Sequence, residues 1–143
     1  MLEKRMLMGP QARYLRLIFD LLEVSSNTVV YEAATSLTTL TNNPVAIKAA
    51  AAKFIDLSIK VSDNNVKLIV LEKVDQLRKK NEGVLDDLVM EILRVLSSTD
   101  IDVRRKALNI ALEMVSSKNV EEVIMLLKKE LAKTMEQESH DKV

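Results

Sequence analysis

Residues Ile55–Leu77, IDLSIKVSDNNVKLIVLEKVDQL, carry an apolar helical stripe into the polar turn Ser62-Asp63-Asn64-Asn65, and a second stripe begins at Val66. The same unit stands 37 residues upstream and 37 residues downstream. Tyr14, Ala51 and Leu88 share one phase, Ile18, Ile55 and Ile92 the next, and Leu22, Ile59 and Leu96 the one after. Polar Ser25, Ser62 and Thr99 follow, then Val29, Val66 and Val103 open the second stripe, and Leu40, Leu77 and Met114 lie near its end. A repeat of this length with two helices per copy is the signature of an α-solenoid, in which each unit buries its apolar face only by stacking on its neighbours. The expected fold is therefore all-α: a right-handed α-solenoid of antiparallel helix pairs, about three and a half repeats of 37 residues.

Composition agrees and narrows the functions open to the chain. With 3 % aromatic residues and no Trp, the core must be aliphatic, and two Gly and two Pro leave little material for β-turns. The 21 basic and 21 acidic residues cancel, so no global field draws in nucleic acid or an acidic membrane. The absence of Cys removes disulfides, thiolate metal sites and a Cys nucleophile. No apolar run reaches the ~18 residues of a membrane span.

The 143 residues are expected to form one solenoid domain. Residues 1–10 read as a leader or the end of a preceding helix, closed by Gly9-Pro10. Repeats follow at 11–41, 44–79 and 84–116, then a last helix over 120–134 and a disordered tail over 135–143. Helix pairs are expected at Gln11–Val24 with Thr28–Thr41, Pro44–Val61 with Asn65–Lys79, and Val84–Ser97 with Asp102–Ser116. Ser25-Ser26-Asn27 can cap the second helix, because short side-chain oxygens accept from free N–H groups. Asn43 suits an N-cap and Pro44 the first helical position, where no N–H is needed. Ala49–Ala52 favours close approach of helix axes. Arg78–Gly83 reads as the inter-repeat loop, and Asn119 with Glu122 fits a capping box. With no partner helix after 134, the chain reads as a piece of a longer solenoid with apolar end faces open to self-association.

Chemistry-bearing residues are sparse. His140 is the single histidine and sits in the tail, and no Gly-rich phosphate loop is present. Asp86, Asp87 and Glu91, and likewise Glu121 and Glu122, could do acid–base work in a cleft. With no histidine beside them they read as solvated helix faces. Ser and Thr sit at helix ends, where capping accounts for them. No catalytic, metal or cofactor site is expected, and a hydrolase built on helical hairpins is the disfavoured alternative. Three basic clusters remain: Arg78-Lys79-Lys80, Arg104-Arg105-Lys106 and Lys128-Lys129. Lys67 and Arg104 share a phase and are expected to pair with Asp63, Asp100 or Asp102 of the adjacent repeat. Arg78, Lys79, Lys80, Arg104 and Arg105 are the candidates for contact with a partner protein or anionic lipid.

The turns Ser62-Asp63-Asn64-Asn65-Val66-Lys67 and Thr99-Asp100-Ile101-Asp102-Val103-Arg104 resemble HEAT repeats, a HEAT/ARM-type pattern with Asp or Asn ahead of a Val and a basic residue. The longer text is similar to the beta-subunit family of coatomer over roughly Ala12–Thr134. Tyr31-Glu32-Ala33-Ala34, Ala46-Ile47-Lys48-Ala49-Ala50-Ala51, Ser62–Leu71, Asp87–Ser97 and Val115–Glu122 carry this resemblance. It implies a non-enzymatic segment of an adaptin-like trunk in the COPI vesicle coat, cytoplasmic and peripheral on Golgi and vesicle membranes. The implied transport runs from Golgi to endoplasmic reticulum and within the Golgi. The implied partners are other coatomer subunits, among them the longin domain of the delta subunit. An Arf-type GTPase is implied for the parent trunk, at a site expected outside this stretch. A clathrin-adaptor large-subunit trunk shares the architecture and is the alternative.

Overall fold

The computed structural model describes residues 12–141. Seven α-helices and two 3-10 turns make up the elements among them, with no strand. In chain order the helices are α1 (Ala12–Leu21), α2 (Asn27–Leu40), α3 (Pro44–Lys60), α4 (Asn64–Lys80), α5 (Val89–Leu93), α6 (Ile101–Glu113) and α7 (Val120–Asp141). Consecutive helices pack as hairpins, α1 on α2, α3 on α4 and α5 on α6, and the hairpins stack into a HEAT/ARM-type solenoid.

The helix starts follow from local chemistry. Ser26 accepts from the Val29 N–H at 3.4 Å. Asn43 accepts from Val45 at 2.9 Å, with Pro44 at the first helical position. Asp63 Oδ1 accepts from Asn65 at 2.8 Å and Val66 at 3.3 Å, and Asp100 Oδ1 accepts from Val103 at 2.9 Å. Each carboxylate or amide satisfies backbone donors that the helix leaves without partners.

The 37-residue register holds in the core. Ile18, Ile55 and Ile92 are all buried in one hydrophobic cluster. Ala33, Val70 and Ala107 form a second buried set, and Leu37, Val74 and Ala111 a third. Small Ala side chains on α2 and α3 (Ala33, Ala34, Ala46, Ala50) let the two helices sit close, as the Ala-rich run predicts. Phe54 fills the remaining space and meets Tyr31 edge-on, ring centroids 5.9 Å apart.

Several expectations are corrected. Tyr14 is 62 % exposed, because among the described residues α1 has helices against one side only. Val29 and Val66 lie at the surface while Val103 is buried, and Leu40 is exposed where Met114 is not. Val84–Ser97 is not one helix. It is a 3-10 turn at Asp86–Leu88, the five-residue α5 and a second 3-10 turn at Arg94–Ser97. Leu85 stands where a capping side chain is needed and makes no such bond, so tight i→i+3 bonds close the turns instead. Asn119 does not form the expected capping box. Its Oδ1 accepts from Ser116 N at 2.8 Å and its Nδ2 donates to Met114 O at 3.2 Å, closing the turn behind it. The last helix continues to Asp141, past the Thr134 expected as its end, so residues 135–141 are helical. The leader expected over 1–10 lies outside the described residues.

Candidate interaction surface

The five basic residues proposed from sequence as contacts fall on two helices. Arg78, Lys79 and Lys80 form the last turn of α4, not a loop, where cations complement the partial negative charge of a helix C-terminus. The helix stops one residue later, at Asn81. Its N–H and Nδ2 both donate to the Leu77 carbonyl, at 2.9 and 3.0 Å. Gly83 then takes a left-handed φ of 81°, which a β-carbon would strain.

Arg78 is largely buried and donates from Nε at 3.1 Å and Nη2 at 2.7 Å to Asp75 Oδ1. Lys79 Nζ lies 3.2 Å from Asp75 Oδ2, and Lys106 Nζ, arriving from α6, lies 3.9 Å from the same oxygen. Lys106 also bonds Glu72. Burial alone would raise the Asp75 pKa, but the bonds and charges of Arg78 and Lys79 outweigh it and hold the carboxyl below its ordinary value. Asp75 is thus the centre of a charge cluster that ties the second repeat to the third.

Arg104 and Arg105 sit in the first turns of α6. Neither has an ion-pair partner among the described residues, and neither has Lys67, so the expected Lys67/Arg104 ladder is not formed. Asp63 and Asp100 instead each direct Oδ1 at the backbone of their own helix. The rung between repeats is instead Asn64 Nδ2 donating to Asp100 Oδ2 at 3.2 Å. That rung aligns the starts of α4 and α6. Arg78–Lys80 at the end of α4 therefore stand roughly 15 Å along the axis from Arg104–Arg105, at 1.5 Å per residue. The two clusters meet only through Lys79 and Lys106 at Asp75, and exposed Lys80 and Arg105 stand apart. Lys80, Arg105, Lys128 and Lys129 are exposed cations.

Of the carboxylates considered for acid–base work, Asp87 and Glu91 are engaged in ion pairs, while Asp86, Glu121 and Glu122 have no ion-pair partner among the described residues. Asp87 Oδ2 lies 2.8 Å from Lys48 Nζ of α3, and Glu91 Oε2 lies 3.1 Å from Arg94. The Lys48 bond and charge hold the Asp87 carboxyl below its ordinary value, with a smaller contribution from Lys118. Lys53 similarly reaches Glu23 of the first repeat at 3.2 Å. Among the described residues no group of three or more His, Asp or Glu side chains is placed to hold a metal ion, and no helix is long and apolar enough to cross a membrane. Sequence reading missed the inter-repeat ties of Lys48, Lys53 and Lys106. Their partners lie 30 to 40 residues away, at offsets set by helix stacking rather than by any local spacing.

The described polar surface combines ion pairs between repeats with separate exposed cations. The family described as the adaptin N terminal region matches residues 2–143. Coatomer subunit beta of Sus scrofa is 55 % identical over 133 residues, 92 % of this chain and 14 % of that relative. The Drosophila melanogaster and Saccharomyces cerevisiae proteins of the same name are 52 % and 45 % identical, with the same coverage of 92 % and 14 %. The chain thus spans about 14 % of the length of these relatives.

Proposed function

Since the chain belongs to the adaptin N terminal region family, we propose that it is a non-enzymatic scaffold segment of a COPI-type vesicle coat. The observation that carries this reading is the 55 % identity to a coatomer beta subunit across 92 % of the chain. The fold supports it, because a solenoid presents an extended surface on which many weak contacts add up, with a few buried anchors dominating. The charge ties at Lys48, Lys53 and Lys106 fix the register of the repeats and so the curvature of that surface. In this reading the segment helps to assemble coat subunits for Golgi-to-endoplasmic-reticulum and intra-Golgi transport, on the cytoplasmic side of Golgi and vesicle membranes. The partners proposed are the other coatomer subunits, with the delta-subunit longin domain foremost. An Arf-type GTPase would engage the parent trunk outside this stretch. Exposed Lys80 and Arg105 are proposed as contact residues, whereas Arg78 is committed to Asp75.

The test is capture from a cell extract on the immobilised chain, with bound proteins identified by mass spectrometry. Enrichment of coatomer subunits is the expected result. Enrichment of clathrin-adaptor subunits in their place, or of neither, would sink the assignment.

A further inference from the structure

The two seams between successive repeats are built differently. At the second seam α4 lies along α6. There Asn64 bonds Asp100, and Lys106 ties Glu72 and Asp75. At the first seam α2 barely touches α4. Between them lies an apolar cleft of ≈ 330 Å³ whose lining includes Thr28, Tyr31, Leu57, Val66 and Ile69. Val66 is 38 % exposed beside this cleft, while Val103, at the same repeat phase in the second seam, is 0 % exposed. Ile69 is 52 % exposed.

A shift of 37 residues maps one seam onto the other. Asn27 stands for Asn64 and Asp63 for Asp100. Asp63 engages only Oδ1 in its cap, as Asp100 does, and among the described residues nothing bonds its Oδ2 or the Asn27 side chain. The first seam therefore holds both halves of the rung, unjoined. Ile69 stands for Lys106, and Thr35 and Thr38 for Glu72 and Asp75, so the ion tie is missing.

We propose that the first seam is a hinge. Its closed form brings α2 onto α4, joins Asn27 Nδ2 to Asp63 Oδ2, and takes Tyr31, Val66 and Ile69 out of water. Removal of apolar surface from water favours closure. A single solvent-exposed amide–carboxylate bond adds little, and the ion pair that does cross this seam, Lys53 to Glu23, is partly exposed and joins α3 to the end of the first hairpin rather than α2 to α4, so both forms are populated. Shear of one packed helix over another is an ordinary way for such a change to occur, and the small Ala side chains between α2 and α3 interlock less than large ones would.

The chain has no cysteine, so spin labels report only introduced sites. Positions 28, 65 and 102 are equivalent and exposed. Electron–electron distance measurements on the Thr28→Cys/Asn65→Cys chain should give two populations, the shorter matching the distance in an Asn65→Cys/Asp102→Cys chain. That second chain should show one narrow distance. Grafting the missing tie as Thr35→Glu with Ile69→Lys should raise the short population about twofold or more, and Asn27→Ala should lower it. A single distance between 28 and 65, long or short, overturns the hinge. A long one would mark the cleft as a fixed groove for a partner's side chain. Populations unmoved by both the graft and Asn27→Ala would overturn it equally.

Discussion

Arg78 and Asp75 share one helix, yet their bond is what lets a cation from the next repeat dock. Both guanidinium contacts fall on Asp75 Oδ1, at 3.1 and 2.7 Å, leaving Oδ2 toward Lys79 and Lys106. Removing one member of a mostly buried pair strands the other. Asp75→Ala should therefore cost about 1–3 kcal/mol in urea unfolding. Arg78→Met should cost less, because Lys79 and Lys106 still serve the carboxylate.

The same carboxyl gives a pH signature. Its pKa is depressed in the folded chain, so its contribution is present above the unfolded value of about 3.9 and is lost as pH falls through the lower folded value. The melting temperatures of the parent chain and Asp75→Asn should differ at pH 6 and converge below pH 4. A gap that stays constant across that range would show that the ionised form is not what stabilises.

Ile18, Ile55 and Ile92 occupy one phase and are 6 %, 1 % and 0 % exposed. Ile55→Ala should destabilise by about 2–5 kcal/mol, the usual result of truncating a buried side chain. Ile18→Ala should cost less, since α1 is covered on one side only among the described residues. Equal losses at the two sites in denaturant melts would mean that stacking on both sides adds nothing.

Val66 and Val103 share a phase and differ in burial. Val103→Ala should lose about 1–3 kcal/mol, from burial at the closed seam. Val66→Ala should lose well under half of that. Chemical denaturation of the two variants side by side checks it.

How much of this was legible beforehand depended on what set each feature. Periodicity within a helix fixes which residues share a face, so the isoleucine phase and the helix pairs could be read directly. Caps were legible at Ser26 and Asn43, because a cap is a local matter of a side chain and its own backbone, whereas Asp63 and Asp100, read as ion-pair partners of Lys67 and Arg104, turn out to be caps. Whether Val66 is covered depends on how closely α2 approaches α4, and nothing in the residue itself states that. The broken helix over Val84–Ser97 escaped for a related reason. Its apolar stripe is helical in period, and the turn type is set by uncapped ends. The basic clusters were visible as candidates, but their roles depend on stacking offsets. Lys106 proved to be the tie between repeats, while Arg104 has no partner within the described chain.

That reassignment fixes the last prediction, which separates cations that hold the fold from cations free to bind. Lys79 sits at the Asp75 cluster, so Lys79→Glu places a carboxylate beside another and should lower the melting temperature slightly, the loss in stability being ~1 kcal/mol or less because its side chain is mostly exposed. Arg105 is exposed and has no ion-pair partner, so Arg105→Glu should leave the melting temperature alone. If α6 contributes to the binding surface, the same change should weaken capture of coat subunits or of anionic vesicles, and the loss should fade as salt rises. Lys80→Glu, at the far end of α4, tests the other cluster by the same two measurements. Since Lys80 and Arg105 stand apart along the helix axes, a partner that covers only one of them should respond to one reversal and not the other. Binding that ignores both reversals at low salt would remove these cations from the functional surface.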